Sequence, residues 1–152
     1  MILFDNPFAM ITVSQATHVP IIPKVTRCIS RHTSNGSCLA GVLYSDYNGA
    51  SIQTHIAAFS PNWASPAFLY AMFDYPFTSL GCKKLIAVMD KSNAKALQLN
   101  ARLGFKFETE IEDVFSSGPA VIRSLRKEEC RFLSEKYRRA FEKYLSTHDY
   151  AA

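Results

Sequence analysis

The sequence predicts one mixed α/β domain, and three features carry that prediction. Runs of β-favouring residues separated by Asn-Gly-type turns fill positions 24–59; a Ser65-Pro66 pair then opens a segment with apolar residues at helical spacing; and an apolar run at 83–89 leads into a second helix that stops at Gly104. An antiparallel start, a helical crossover, a parallel strand, a second helix and a closing hairpin combine into a mixed sheet with helices packed on it.

Taken in order, residues 1–25 hold Pro7, Pro20 and Pro23 among apolar residues, which predicts short, interrupted structure there. Strands follow at 24–32 and 38–47, joined through Thr33-Ser34-Asn35-Gly36, and Asn48-Gly49 turns the chain into a third at 51–59. At Ser65-Pro66 a serine able to cap precedes a proline at the first helical position, and Ala67, Leu69, Tyr70, Phe73 and Phe77 form the helix's apolar side until Gly81. The run at 83–89 has the length and composition of a strand buried on both faces. Asp90 or Ser92 is placed to cap the next helix, Ala94, Leu97, Ala101 and Leu103 form its apolar stripe, and Gly104 ends it. Residues 105–115 and 120–125 read as a hairpin around Ser116-Ser117-Gly118-Pro119. The tail at 127–148 reads as one amphipathic helix with Leu133, Tyr137, Ala140, Phe141, Tyr144 and Leu145 on one side.

Composition narrows the class. With 152 residues, 48% of them hydrophobic and 12% aromatic, the chain is long enough to bury one substantial core. No apolar run approaches the roughly 20 residues that span a bilayer, and Met1-Ile2-Leu3-Phe4 is stopped at once by Asp5-Asn6-Pro7, so a soluble, cytoplasmic protein without a signal peptide is expected. Cys28, Cys38, Cys82 and Cys130 are widely spaced and lack the paired pattern of a zinc site, so no metal site is expected. A net charge of +4 permits an anionic ligand but is too small to indicate a nucleic-acid partner. The aromatic stripe of the last helix suggests a homodimer.

The stretch from Val88 to Phe105 resembles the acyl-CoA-side strand and helix of the GCN5-related N-acetyltransferases, whose N-x-x-A and L-G-F pattern is matched by Asn93, Ala96, Leu103, Gly104 and Phe105. A larger set, Gly41-Val42-Leu43-Tyr44, Asn48-Gly49, His55-Ile56-Ala57, Pro61-Asn62-Trp63, Phe73-Asp74-Tyr75-Pro76-Phe77 and Glu129-Cys130-Arg131-Phe132-Leu133, resembles a branch of that superfamily found in bacteriophages and prophages. The resemblance implies a mostly antiparallel sheet splayed between two central parallel strands, at 51–59 and 83–89, with a C-terminal amphipathic helix. It implies that backbone groups at Ile56, Ala57 and Ala58 hold the pantetheine arm of acetyl-CoA as an added strand. It implies a diphosphate cradle at Trp63, Ser65 and the start of the Pro66 helix, with charge from Lys95, and it places Asn93 and Ala96 on the cofactor side of the second helix.

Two departures from the superfamily pattern matter. The signature Q/R-x-x-G-x-G/A of the phosphate loop is replaced by Phe59-Ser60-Pro61-Asn62-Trp63-Ala64-Ser65-Pro66, which has no glycine and two residues without an N–H. Asn100 stands where many members carry a tyrosine that protonates the departing thiolate, and an amide is no acid near neutral pH; Tyr70 and Tyr75 are the alternatives. His55 is the candidate base, with Asp46 and Glu108 as runners-up. The expected function is transfer of an acetyl group to a primary amine. The rival expectation is a catalytically degenerate phage protein that docks partners through its last helix, and a third is nucleic-acid association through Arg131, Arg138, Arg139 and Lys143.

Overall fold

The computed structural model describes residues 1–148. Their seven strands form one sheet in the order β1-β2-β3-β4-β5-β7-β6. These are β1 (Ile2–Phe4), β2 (Arg27–His32), β3 (Cys38–Ser45), β4 (Ser51–Ala58), β5 (Lys84–Asp90), β6 (Lys106–Phe115) and β7 (Gly118–Arg126). Every neighbouring pair is antiparallel except β4 and β5. The helices are α1 (Pro7–Thr17), α2 (Pro66–Asp74), α3 (Ala94–Arg102) and α4 (Glu135–Thr147). The mixed sheet expected from the hairpin and crossover signals is therefore present.

The first 25 residues depart from the irregular segment expected of them. They hold β1 and the 11-residue helix α1. Pro7 starts this helix, because its missing N–H would be unpaired there anyway, and the Asn6 side chain accepts the Ala9 N–H at 3.0 Å. Helix α1 buries Ala9 and Val13 against Cys28, Leu43 and Ala57, covering one sheet face.

Val13 sits over Gly41 of β3, whose missing side chain makes the approach possible. A Cβ built on Gly41 would overlap Val13 Cγ2. Gly41→Ala is therefore expected to destabilise the fold by about 1–3 kcal/mol through overpacking, and Val13→Ala in the same chain to restore part of the loss. Thermal unfolding of the two single variants and the double variant measures this coupling; strictly additive losses would refute the contact.

On the other face, α2 and α4 enclose the main core. Phe68, Phe73 and Phe77 are each at most 1% exposed, and Phe132 stacks on Phe73 with ring centroids 5.2 Å apart. Residues Tyr75–Ser79 extend α2 by a π-helical turn before Gly81, whose φ of 68° reverses the chain. Helix α3 is capped by Asn93, whose side chain accepts the Ala96 N–H at 3.1 Å, rather than by Asp90 or Ser92. The Asp90 carboxylate is taken up by the Ser92 N–H and hydroxyl, at 2.9 and 2.8 Å, and by Ser117.

The single helix expected at 127–148 is also corrected. Two 3-10 turns, Lys127–Glu129 and Arg131–Leu133, precede α4, with extended backbone at Cys130 and Ser134 between and after them. That path buries Cys130 and Phe132, which a continuous solvent-facing helix would not. Tyr137, Phe141 and Tyr144, the aromatics that suggested a dimer, pack on the chain's own core, with Phe141 and Tyr70 rings 5.4 Å apart. Among the described residues no helix is long and apolar enough to cross a membrane.

Candidate active site

Strands β4 and β5 separate. They pair only at Ser51 with Lys84, Ile52 with Leu85 and Gln53 with Ile86, although β4 runs on to Ala58 and β5 to Asp90. Which backbone groups the separation leaves free follows from the flanking ladders. The Phe59 N–H donates to the Leu39 carbonyl at 2.9 Å, one step past the pairing of Ala40 with Ala58, so odd-numbered residues of β4 bond to β3. Ile56 and Ala58 therefore turn their N–H and C=O groups into the gap, while Ala57 turns its own to β3. By the same reasoning the Lys91 N–H on the Pro119 carbonyl, at 3.0 Å, assigns odd residues of β5 to β7 and leaves Val88 facing the gap.

A cleft of about 150 Å³ occupies the separation. Ile56, Ala57, Ala58, Asn93, Lys95 and Ala96, all singled out from the sequence, line it. Ala16, Phe59 and Leu99 complete the wall without having been anticipated. Ala16 was out of reach because α1 itself was unread; Phe59 and Leu99 carry only the signal of adjacency to the motif.

Trp63 and Ser65 lie on the loop beyond Phe59. The loop is folded on itself: Ser60 accepts the Asn62 N–H on its hydroxyl at 3.2 Å and the Trp63 N–H on its carbonyl at 3.2 Å, and Arg31 donates to the Asn62 carbonyl. The Trp63 ring meets Phe68 edge-on at 6.4 Å. Ser65 caps α2 by accepting the Phe68 N–H at 3.1 Å. Pro61 and Pro66 have no N–H, yet the amides of Ala64, Ser65 and Ala67 have no partner among the described residues and sit at the positive end of α2, whose first turn holds no acidic residue. This donor set fits an anionic group.

Lys95 lies in the first turn of α3, where a cation opposes the helix dipole, and makes no ion pair among the described residues. Its ammonium group instead donates to the Ala58 carbonyl at 3.3 Å, across the cleft. Asn100 is 5% exposed; its amide nitrogen donates to the Ala96 carbonyl at 3.0 Å and its oxygen has no partner among the described residues. Thr54, at the point where the strands part, likewise has a buried hydroxyl without a partner among the described residues. Buried polar atoms left open in this way are completed by water or a ligand.

His55 lies outside the cleft lining, on the β4 face that carries Ala57, with Nε2 2.8 Å from the Ser45 hydroxyl. Burial lowers its pKa to about 4, against the opposing pull of Asp46, so the imidazole is neutral at pH 7 and a weaker base than a free histidine. Glu108 is engaged by Lys84 at 2.5 Å and the Ser124 hydroxyl at 2.6 Å, which hold its carboxyl below the usual range. Tyr70 and Tyr75 pack against Phe141 and Tyr44 and do not line the cleft. Burial pushes the Cys28 and Cys130 thiols up to about 12 and 11, so neither supplies a thiolate near neutral pH.

No protein-family model and no curated protein matches this sequence. Solved structures do. A Vibrio cholerae spermidine/spermine N-acetyltransferase SpeG with manganese ions superposes with a TM-score of 0.61 at 13% identity, covering 98% of this chain and 96% of that one. The fold is that of the GCN5-related N-acetyltransferases. Within that fold the chain is also similar to the Vibrio cholerae spermidine N-acetyltransferase in complex with CoA and spermine, with a TM-score of 0.57, 16% identity and 82% and 76% of the two chains covered. Campylobacter jejuni N-acetyltransferase PseH in complex with acetyl coenzyme A gives 0.52 at 18% identity, with 77% of each chain covered.

Proposed function

We propose that this chain is an acyl-CoA-dependent N-acetyltransferase acting on a primary amine. The observation that carries the reading is the parting of β4 and β5 after Gln53 and Ile86, which leaves main-chain donors and acceptors facing a cleft. Acetyl-CoA supplies an activated acyl thioester, and structures of this fold have been solved with CoA and with acetyl-CoA. Ile56 and Ala58 present N–H and C=O groups spaced to pair with the amides of an extended pantetheine arm. The amides of Ala64, Ser65 and Ala67 receive the diphosphate. Lys95, now on the Ala58 carbonyl, would supply positive charge to the phosphates, which would offset the cost of a cation in the first turn of α3.

A main-chain N–H in the gap stabilises charge on the thioester oxygen while the amine nitrogen bonds to the acyl carbon and the C–S bond breaks. The amine loses a proton and the sulfur gains one. Asn100 orients without donating that proton, and a water between buried polar groups delivers it. His55 holds Ser45 and takes a proton only weakly, so positioning contributes more to rate than a strong base. The resemblance of the motifs between Gly41 and Leu133 is the ground for proposing an origin in the bacteriophage and prophage branch, and with it a host cytoplasm.

Calorimetric titration of the purified chain with acetyl-CoA tests this reading, with micromolar binding expected. Lys95→Ala should weaken it by about three- to tenfold through the lost charge. Absence of heat up to millimolar ligand would support the rival reading, a scaffold that keeps the fold, which the Asn100 and phosphate-loop departures favour.

A further inference from the structure

A concavity of about 380 Å³ lies at the opposite end of β5 from the cleft. Its floor is Phe77 and Cys82, 1% and 2% exposed, and its rim carries Lys83, Arg126, Lys127 and Glu128. The β5–β7 register ends at the pair of Lys84 with Arg126, and Lys83 and Lys127 flank that pair in sequence. Like charges directly across a ladder repel. Lys84 is neutralised by Glu108 at 2.5 Å, but Lys83, Arg126 and Lys127 make no ion pair within 4.0 Å among the described residues. Elsewhere on the same sheet this chain pairs its cations: Lys91 meets Glu110 at 2.7 Å, and Lys106 meets Glu129. Gly81 adds an N–H without a partner among the described residues, and a Cβ built there would meet nothing within 4 Å, so the space above it is open.

We propose that this basin binds a small polyanion with two or more phosphate or carboxylate groups, at a site separate from the cleft. Three cations against one carboxylate supply the charge. The Arg126 guanidinium offers paired donors to one anionic group, and Lys83 and Lys127 clasp a second. The volume lies near the lower end of small-ligand sites. Binding relieves the mutual repulsion of the cations gathered on this rim.

The test is NMR of the isotope-labelled full chain titrated separately with pyrophosphate and with citrate at low ionic strength. Saturable shifts are expected at Gly81, Cys82, Lys83, Arg126 and Lys127, weakened at least tenfold in Lys83→Gln/Lys127→Gln. All three basic positions are exposed, so the variant should stay folded; Arg126→Gln is the second variant, with the same expected loss. Saturation by both anions supports a general polyanion site, and saturation by pyrophosphate alone supports a phosphate-bearing ligand. No saturable shift in the basin, or shifts that survive in both variants, overturns the proposal. Pyrophosphate at the α2 start would instead move Ala64, Ser65 and Ala67, so failure here and failure of the acetyl-CoA reading are separable.

Discussion

Ala58→Pro is expected to weaken acetyl-CoA binding by about tenfold while leaving the fold nearly intact, and Ala57→Pro to do the reverse. The two residues are neighbours, but their backbone groups point oppositely. The Ala58 N–H faces the gap, so a proline there removes one donor to the cofactor arm and no ladder bond, a loss of about 1–1.5 kcal/mol. The Ala57 N–H belongs to the β3 ladder opposite Gly41, where proline removes a structural bond and costs about 3 kcal/mol. Calorimetry with acetyl-CoA and thermal unfolding of both variants read the two losses independently. Equal affinity in Ala58→Pro and the unaltered chain would show that the gap does not hold the cofactor arm.

Acidification should destabilise the protein through His55. Its pKa falls from 6.5 in the unfolded chain to about 4 in the fold, because burial disfavours the charged ring. Between those values the unfolded state binds the proton and the folded state does not, so stability rises with pH there. The contribution is complete above about 6.5 and is lost as pH falls to about 4, amounting to about 3 kcal/mol at most. His55→Gln, which keeps a polar partner for Ser45, should flatten that part of the stability–pH curve in urea unfolding. A curve of unchanged slope would remove His55 as its source. The same depressed value predicts a pH–rate profile without a His55 inflection near neutrality.

Much of the fold was legible because local signals and tertiary context agreed. Asn48-Gly49 and Thr33 to Gly36 turned the chain where expected, Ser65 capped α2, and Gly104, at a φ of 97°, closed the α3 turn. Proline misled at Pro7, where its meaning depends on position: it breaks a helix interior but starts a first turn, and only the Asn6 cap distinguishes the two. The 127–148 segment misled for another reason. Its charged, helix-favouring residues outweighed in sequence what two buried side chains, Cys130 and Phe132, decided in space.

Sequence alone determined the element order from β2 to β7, the parallel step between β4 and β5, and six of the residues lining the cleft, because turn chemistry and apolar periodicity are local properties. Tertiary structure alone decided which of those residues present backbone to the cleft, that Lys95 bridges it, that Asn100 is buried rather than on the surface, and that α4's aromatic side faces inward. Each of these depends on ladder register or on burial by distant segments, which are set by packing of the whole chain and leave no trace in the neighbouring residues.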